Sequence, residues 1–383
     1  MNIGGFGEKT PNEVAELIKK TYKYQEVTGE RVTVILLGPP GVGKTVTVRK
    51  VAETIARESG RKFMELGTED VENIDVENSF LFLAFSILHA DPVDFMGIPR
   101  PGNGNNSVKY YLPDILDVLT KKGAKGIVLI DEFTLDSRED RRAALLKLVD
   151  EGYLGYRKIS SGVLIVLAGN TTKWSDAANT LDEPMRRGRA IIVFVKPPSV
   201  EAWIEWMNRN YQNWDRRIGA FLLLYPQEFF TSKDEDDDGY TAINSPRNWT
   251  RLSLLMNGGD SMEYIDGLVR ARTAVLLKTF LSTAVPSAKE IAKKPETWKT
   301  LSREAKYILL SQIAGVEGEH DVFSELYQVM AEQDKESLIL LLTMMGEGAR
   351  TRFVIYAQKH MPTVFSALKE IRAKMRIAEE DED

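Results

Sequence analysis

The apolar run Val32 to Leu37 feeds directly into Gly38-Pro39-Pro40-Gly41-Val42-Gly43-Lys44-Thr45, and Val46 to Ser59 then reads as a helix. No other stretch constrains the chain as strongly. The eight residues fit G-x-x-x-x-G-K-[ST], in which glycines let the backbone turn tightly and lay its N–H groups against phosphate oxygens while the next helix offers the positive end of its dipole. Lys44 would reach the β- and γ-phosphates as a point charge, and Thr45 would give a hydroxyl ligand to Mg²⁺. The whole run from Gly38 to Val46 is the candidate cofactor-binding segment. A plain Gly/Pro turn between strand and helix accounts neither for Lys44-Thr45 nor for the doubled glycines.

A second stretch gives that loop a partner. Lys125 to Phe133 holds a short apolar strand, Ile127 to Ile130, that delivers Asp131 and Glu132 at its C-terminal end. In open α/β sheets ligands sit at the carboxyl ends of strands, so both acids would arrive beside the phosphate loop. Asp131 would hold Mg²⁺ and Glu132 would polarise an attacking water as general base. Gly162 to Gly169 is another apolar strand, ending in Asn170, which could orient that water; an asparagine tolerating a turn after glycine is the bland alternative.

Composition closes off several other chemistries. The 383 residues suffice for two or three domains, with a hydrophobic fraction of 43%. Cysteine is absent and histidine occurs three times, which excludes disulfides, thiolate zinc sites and thiol nucleophiles and argues against a His-rich metal centre. The N-terminus lacks a basic segment followed by an apolar core, and no stretch approaches a membrane span, so a cytoplasmic protein with no membrane partner is expected. Net charge is −6, yet Asp234 to Asp238 and Glu379 to Asp383 together carry ten negative charges, leaving about +4 on the remainder. Both runs read as solvated acidic segments. No dense Lys/Arg stripe marks a phosphate-backbone interface.

Along the chain, Thr10-Pro11-Asn12-Glu13 has the signature of a helix start, and Val14, Leu17, Ile18 and Tyr22 supply its apolar face. Phe80 to Leu88 reads as a buried strand, Asp91 to Asn106 as a long irregular loop, and Tyr111 to Leu119 as a helix. A helix is expected over about 140–149. Leu181 to Arg189 should close a helix before the strand Ile191 to Val195, its arginines either capping that helix or projecting toward a neighbouring subunit. Lys196-Pro197-Pro198 reads as a hinge, Ser245-Pro246-Arg247 opens a helix, and from 260 onward helical patterns dominate. This divides the chain into an α/β nucleotide-binding part (1–197), a helical part with the acidic loop (198–259) and a helical C-terminal part with the acidic tail (260–383).

Loop, acidic strand end, polar strand end and arginines, in this order, resemble the AAA+ ATPases over roughly residues 10 to 260. Gly38 to Thr45 is similar to that family's Walker A motif, Ile127 to Glu132 to its Walker B motif, and Asn170 stands where the family places its sensor 1. Leu181 to Arg189 resembles the arginine-finger segment, with Arg186 and Arg189 spaced as a finger pair. Ser245-Pro246-Arg247 resembles sensor 2, which implies that Arg247 contacts the γ-phosphate of its own subunit. The resemblance implies a central parallel five-stranded sheet, a helical lid, and ATP with Mg²⁺ as cofactors. Asp91 to Pro99, Leu167 to Asn170 and Glu201 to Trp206 further resemble the MoxR-type branch, although Phe133 and Thr134 differ from the pair many of its members carry. That branch implies a homo-oligomeric ring, commonly a hexamer, and chaperone-like remodelling of a protein client, often with a partner carrying a von Willebrand factor A domain. Two other functions fit the same motifs: a nucleic-acid motor or loader, which the small positive balance permits without recommending, and a nucleotide-dependent ring scaffold with slow hydrolysis.

Overall fold

In the computed structural model the described residues are 7–67, 71, 74–101, 107–231, 241–257, 259, 262–316 and 318–380. The acidic run Asp234 to Asp238 lies outside them, as do Gly102 to Asn106 and the end of the acidic tail. The chain divides into two compact units, 1–197 and 198–383.

The first unit is a parallel sheet with helices on its faces. It runs β1 (Glu8–Lys9), α1 (Pro11–Thr28), β2 (Thr33–Leu37), α2 (Lys44–Glu58), β3 (Lys62–Glu65), β4 (Ser79–Ser86), α3 (Pro92–Met96), β5 (Ile98–Pro101), β6 (Val108–Tyr111), α4 (Asp114–Asp117), β7 (Lys125–Asp131), α5 (Glu139–Glu151), β8 (Tyr153–Leu154), β9 (Arg157–Lys158), β10 (Gly162–Gly169) and β11 (Ala190–Val195). Strand order in the main sheet is β1-β11-β2-β10-β7-β4-β3, every pairing parallel. The sheet therefore has seven strands, not five. The five apolar runs form its middle, and the two additions, Glu8–Lys9 and Lys62–Glu65, are short edge strands, the first of two charged residues and the second with only Phe63-Met64 between charged ends, too brief for an apolar run to mark them.

Because strand side chains alternate, the apolar runs bury both faces. Ile35, Leu37, Val128, Ile130, Ile165 and Leu167 join one core with Leu145 and Leu148 of α5. Val34, Leu36, Ile127, Leu129, Leu164 and Val166 are equally buried on the other face, where α1 and α2 contact the sheet. Helix α1 starts as its sequence requires: Thr10 and Glu13 form a reciprocal capping box around Pro11, and Gly29 ends the helix in the left-handed conformation, φ 70°.

Two segments depart from expectation. The stretch expected as an irregular loop from Asp91 carries α3, opened by an Asp91/Asp94 capping box, and then β5, which pairs antiparallel with β6. Tyr111 accordingly belongs to a strand, and α4 begins at Asp114. The prolines at 99 and 101 are compatible because a two-stranded hairpin leaves one edge of each strand without ladder bonds. The expected helix over Leu181 to Arg189 is present only as a short, kinked piece: it starts at Glu183, continues as a π-type turn, Met185–Arg189, and is broken at Arg187 and at Gly188 with φ 90°.

The second unit is helical: α6 (Val200–Asn210), α7 (Arg216–Leu224), α8 (Pro246–Met256), α9 (Ile265–Leu268), α10 (Ala271–Leu281), α11 (Ala288–Lys293), α12 (Arg303–Gly315), α13 (Ser324–Gln333), α14 (Lys335–Met344), α15 (Glu347–His360) and α16 (Pro362–Glu380). One hydrophobic core runs through it from Val200 to Ile371, with Trp203, Trp249 and Trp298 buried in it. None of the described helices is long and apolar enough to cross a membrane.

Candidate nucleotide site

The strand order decides where the site lies. β2 is flanked by β11 and β10, and β7 lies next beyond β10, so the loop leaving β2 emerges between the C-terminal ends of those neighbours. The register is level there: Leu167 is paired with both Ile35 and Ile130, and Gly169 with Leu37. Gly38 N–H donates to the Gly169 carbonyl at 3.2 Å, which ties the root of the loop to the strand carrying Asn170.

The two loop glycines are required for different reasons. Gly43 has φ 97°, in the left-handed region that disfavours a side chain. Gly38 has an ordinary φ, but a Cβ there would collide with the Val195 carbonyl oxygen of β11. Gly43 is also the N-cap of α2 and makes no side-chain cap bond, so the first turn presents backbone N–H groups in the manner of an anion cradle. Within the loop Gly38, Pro39 and Val42 are buried, Gly41 and Gly43 are half-buried, and Pro40 and Val46 are exposed.

The functional side chains converge in pairs. Lys44 is buried, and its Nζ donates to the carbonyls of Gly38 at 2.8 Å and Pro39 at 2.9 Å and to Asn170 Oδ1 at 3.3 Å. Thr45 Oγ1 donates to Asp131 Oδ2 at 2.7 Å, while Asp131 Oδ1 accepts the Glu132 N–H at 2.9 Å. A hydroxyl and a carboxylate side by side are hard oxygen donors, which suit Mg²⁺, an ion that takes few protein ligands and completes its shell with water and phosphate oxygens. Glu132 occupies the left-handed region, φ 59° and ψ 20°, a conformation that turns the chain sharply as it leaves β7.

Three further groups shape the site without a motif to announce them. Ser86 ends β4 in register with Asp131, and its Oγ donates to the Glu132 carboxylate while accepting the Leu88 N–H at 3.3 Å. Thr134 Oγ1 accepts the Asn170 N–H at 2.9 Å. Beneath the turn, the Arg141 guanidinium pairs with buried Asp136 at 2.7 Å and donates to the carbonyls of Ile87, Leu88 and Ala90, each at 3.1 Å. Nothing in the sequence singles out Ser86, which lies inside the apolar run Phe80 to Leu88.

Lys44, Thr45, Asp131, Glu132 and Asn170 are thus assembled in the first unit. Of the arginines, Arg186 is exposed on the kinked turn, Arg187 pairs with Glu183 four residues earlier, and the Arg189 side chain lies outside the described residues. Arg247 belongs to the second unit, exposed in the first turn of α8.

A parallel sheet with a glycine-rich loop, a buried lysine and a Thr–Asp pair at its carboxyl edge defines a P-loop nucleotide-binding domain. Residues 34–197 match the family described as ATPase family associated with various cellular activities (AAA), and this segment is an AAA ATPase domain. No curated protein matches the chain. Similar solved structures include Caenorhabditis elegans PCH-2 (17% identity, 72% of this chain and 62% of that chain, TM-score 0.31). A Thermotoga maritima RuvB mutant is 14% identical over 81% of this chain and 83% of that chain, TM-score 0.36. The Aeropyrum pernix ORC2 protein, in ADPNP and ADP complexes, is 15% identical over 94% of this chain and 88% of that chain, TM-score 0.38. The chain thus spans less than two thirds of the PCH-2 chain.

Proposed function

We propose that the first unit binds ATP with Mg²⁺ and hydrolyses it. The observation that supports this most is the 2.7 Å bond between Thr45 and Asp131, since it brings the loop and the acidic strand end to one point. Lys44 would neutralise charge on the β- and γ-phosphates, alongside the N–H groups of the first turn of α2. Mg²⁺, when bound, screens the phosphate oxygens and is held by Thr45 and Asp131. Glu132 polarises the attacking water, and Asn170 orients it. Little covalent help is needed, because positioning and electrostatics supply most of the rate in phosphoryl transfer.

The decisive variant is Glu132→Gln. It should keep the parent's nucleotide affinity and lose turnover by roughly a thousandfold or more. Hydrolysis at the parent rate would remove Glu132 from its role.

The finer reading is a MoxR-type remodelling ATPase working as a homo-oligomeric ring on a protein client. It draws on the resemblance of Asp91 to Pro99, Leu167 to Asn170 and Glu201 to Trp206. In such a ring Arg186 and Arg189, spaced as a finger pair, are the candidates for a neighbour's nucleotide, with Arg187, in an exposed pair with Glu183, as the alternative. Arg247 is proposed to contact the γ-phosphate of its own subunit. Sizing chromatography tests the assembly: the ring reading expects a larger species with a slowly hydrolysed ATP analogue, and a monomer under all nucleotides would oppose it.

A further inference from the structure

We propose that Thr134 is the residue that positions Asn170 for the reaction, an assignment that rests on the ATPase reading above. Thr134 is 3% exposed and sits in the turn that follows Glu132. The ladder of β10 ends at Gly169, and the Thr134 hydroxyl accepts the next amide, that of Asn170, at 2.9 Å. A side chain thereby extends the strand's hydrogen bonding by one residue and fixes the backbone from which the Asn170 amide projects.

The latch is held on both sides. The Thr134 carbonyl accepts from Asn179 N at 2.6 Å and from Asn179 Nδ2 at 3.1 Å, so the turn cannot drift from the strand end. A Cβ on residue 169 would lie 2.7 Å from both the hydroxyl and the methyl group of Thr134, so the approach needs glycine at 169 and leaves little slack. On its far side Asn170 meets Lys44 at 3.3 Å. One turn therefore sets two groups at once: Glu132 through its left-handed backbone, and Asn170 through the hydroxyl two residues later. Threonine suits the position because its methyl group fills space against Gly169 while its oxygen supplies the acceptor. Valine would keep the shape and lose the acceptor.

The test uses the full chain with Thr134→Val and Thr134→Ser, each in the parent and in an Asn170→Ala background. Thr134→Val should lower kcat roughly tenfold and leave ADP affinity within about twofold, because an amide stripped of its acceptor loses its placement rather than the nucleotide its cradle. Thr134→Ser should stay within about threefold of the parent. In the Asn170→Ala background Thr134→Val should change kcat by less than about twofold, since the residue acts through Asn170. A parent-like kcat for Thr134→Val, or an equal loss in both backgrounds, would overturn the assignment. Hydrogen exchange at the Asn170 amide gives a readout independent of turnover: it should quicken in Thr134→Val and not in Thr134→Ser. A parent that does not hydrolyse ATP would defeat the ATPase reading, whereas unchanged exchange would defeat the latch itself. Should Thr134→Val fail to fold, Thr134→Ala takes its place in the same comparisons.

Discussion

Glu132 holds a backbone conformation, φ 59°, that costs a residue with a side chain roughly 1–2 kcal/mol. It is kept there from three directions: the Asp131 carboxylate accepts its N–H, the Leu135 N–H donates to its carbonyl at 2.9 Å, and Ser86 holds its carboxylate. The loop glycines show how differently single residues carry constraint. Gly38→Ala would press a methyl group into the Val195 carbonyl, a backbone atom of a paired strand, whereas a Cβ at Gly43 meets nothing within 4 Å. Gly38→Ala is therefore expected to cost more than about 2 kcal/mol by urea denaturation and to weaken nucleotide binding. Gly43→Ala should cost only the roughly 1–2 kcal/mol of its left-handed backbone. Equal losses at the two positions would refute the packing argument for Gly38. The Gly38 to Thr45 pattern was legible as a strand, loop and helix because its constraints act between near neighbours. The reason Gly38 must be glycine was not, because Val195 is distant in the chain.

At the scale of elements, the exit of β7 is braced by the Asp136–Arg141 pair, whose side chains are 0% and 10% exposed. Removing one partner of a buried pair leaves the other charge uncompensated, so Arg141→Ala should destabilise the first unit by about 3–5 kcal/mol by chemical denaturation. Replacing both partners by apolar residues should recover part of that loss. A smaller lever sits at the start of α1. There the backbone N–H of Thr10, followed by its hydroxyl, donates to the Glu13 carboxylate and holds its pKa below the ordinary value. A depressed carboxylate stabilises the fold above its unfolded pKa and loses that contribution as pH falls through the folded value. The stability advantage of the parent over Glu13→Gln should thus be present above the ordinary carboxylate range and fade as pH falls below it; a pH-independent difference would show that the box does not depend on the charge. The apolar middle strands and α1 could be read locally from their patterns and caps. The edge strands, the β5–β6 hairpin and the kinked turn at Arg187 could not, because their residues lack apolar periodicity and take their conformation from partners elsewhere in the chain.

For the whole molecule, the two units have separate cores, and the tryptophans are divided unevenly between them. Of the six, only Trp174 belongs to the first unit. A ligand that binds one unit's folded state stabilises that unit by mass action, about 2.7 kcal/mol at a hundredfold excess over Kd. In a Trp174→Phe background, ADP, which lacks the γ-phosphate proposed as the partner of Arg247, should therefore raise the calorimetric transition of the first unit and leave the tryptophan-monitored transition in place. A joint shift of both would show that the units unfold as one. The sequence by itself determined the phosphate loop, the acid pair that follows a buried strand, and the helical character of the second half, because each is written in residues close along the chain. Only the tertiary structure decided that the sheet has seven strands, that Thr45 meets Asp131, and that Ser86 and Thr134 hold Glu132 and Asn170. Those contacts join residues on, or just beyond the ends of, different strands, and strand order and register, which bring such residues together, are properties of the folded sheet and not of any one segment.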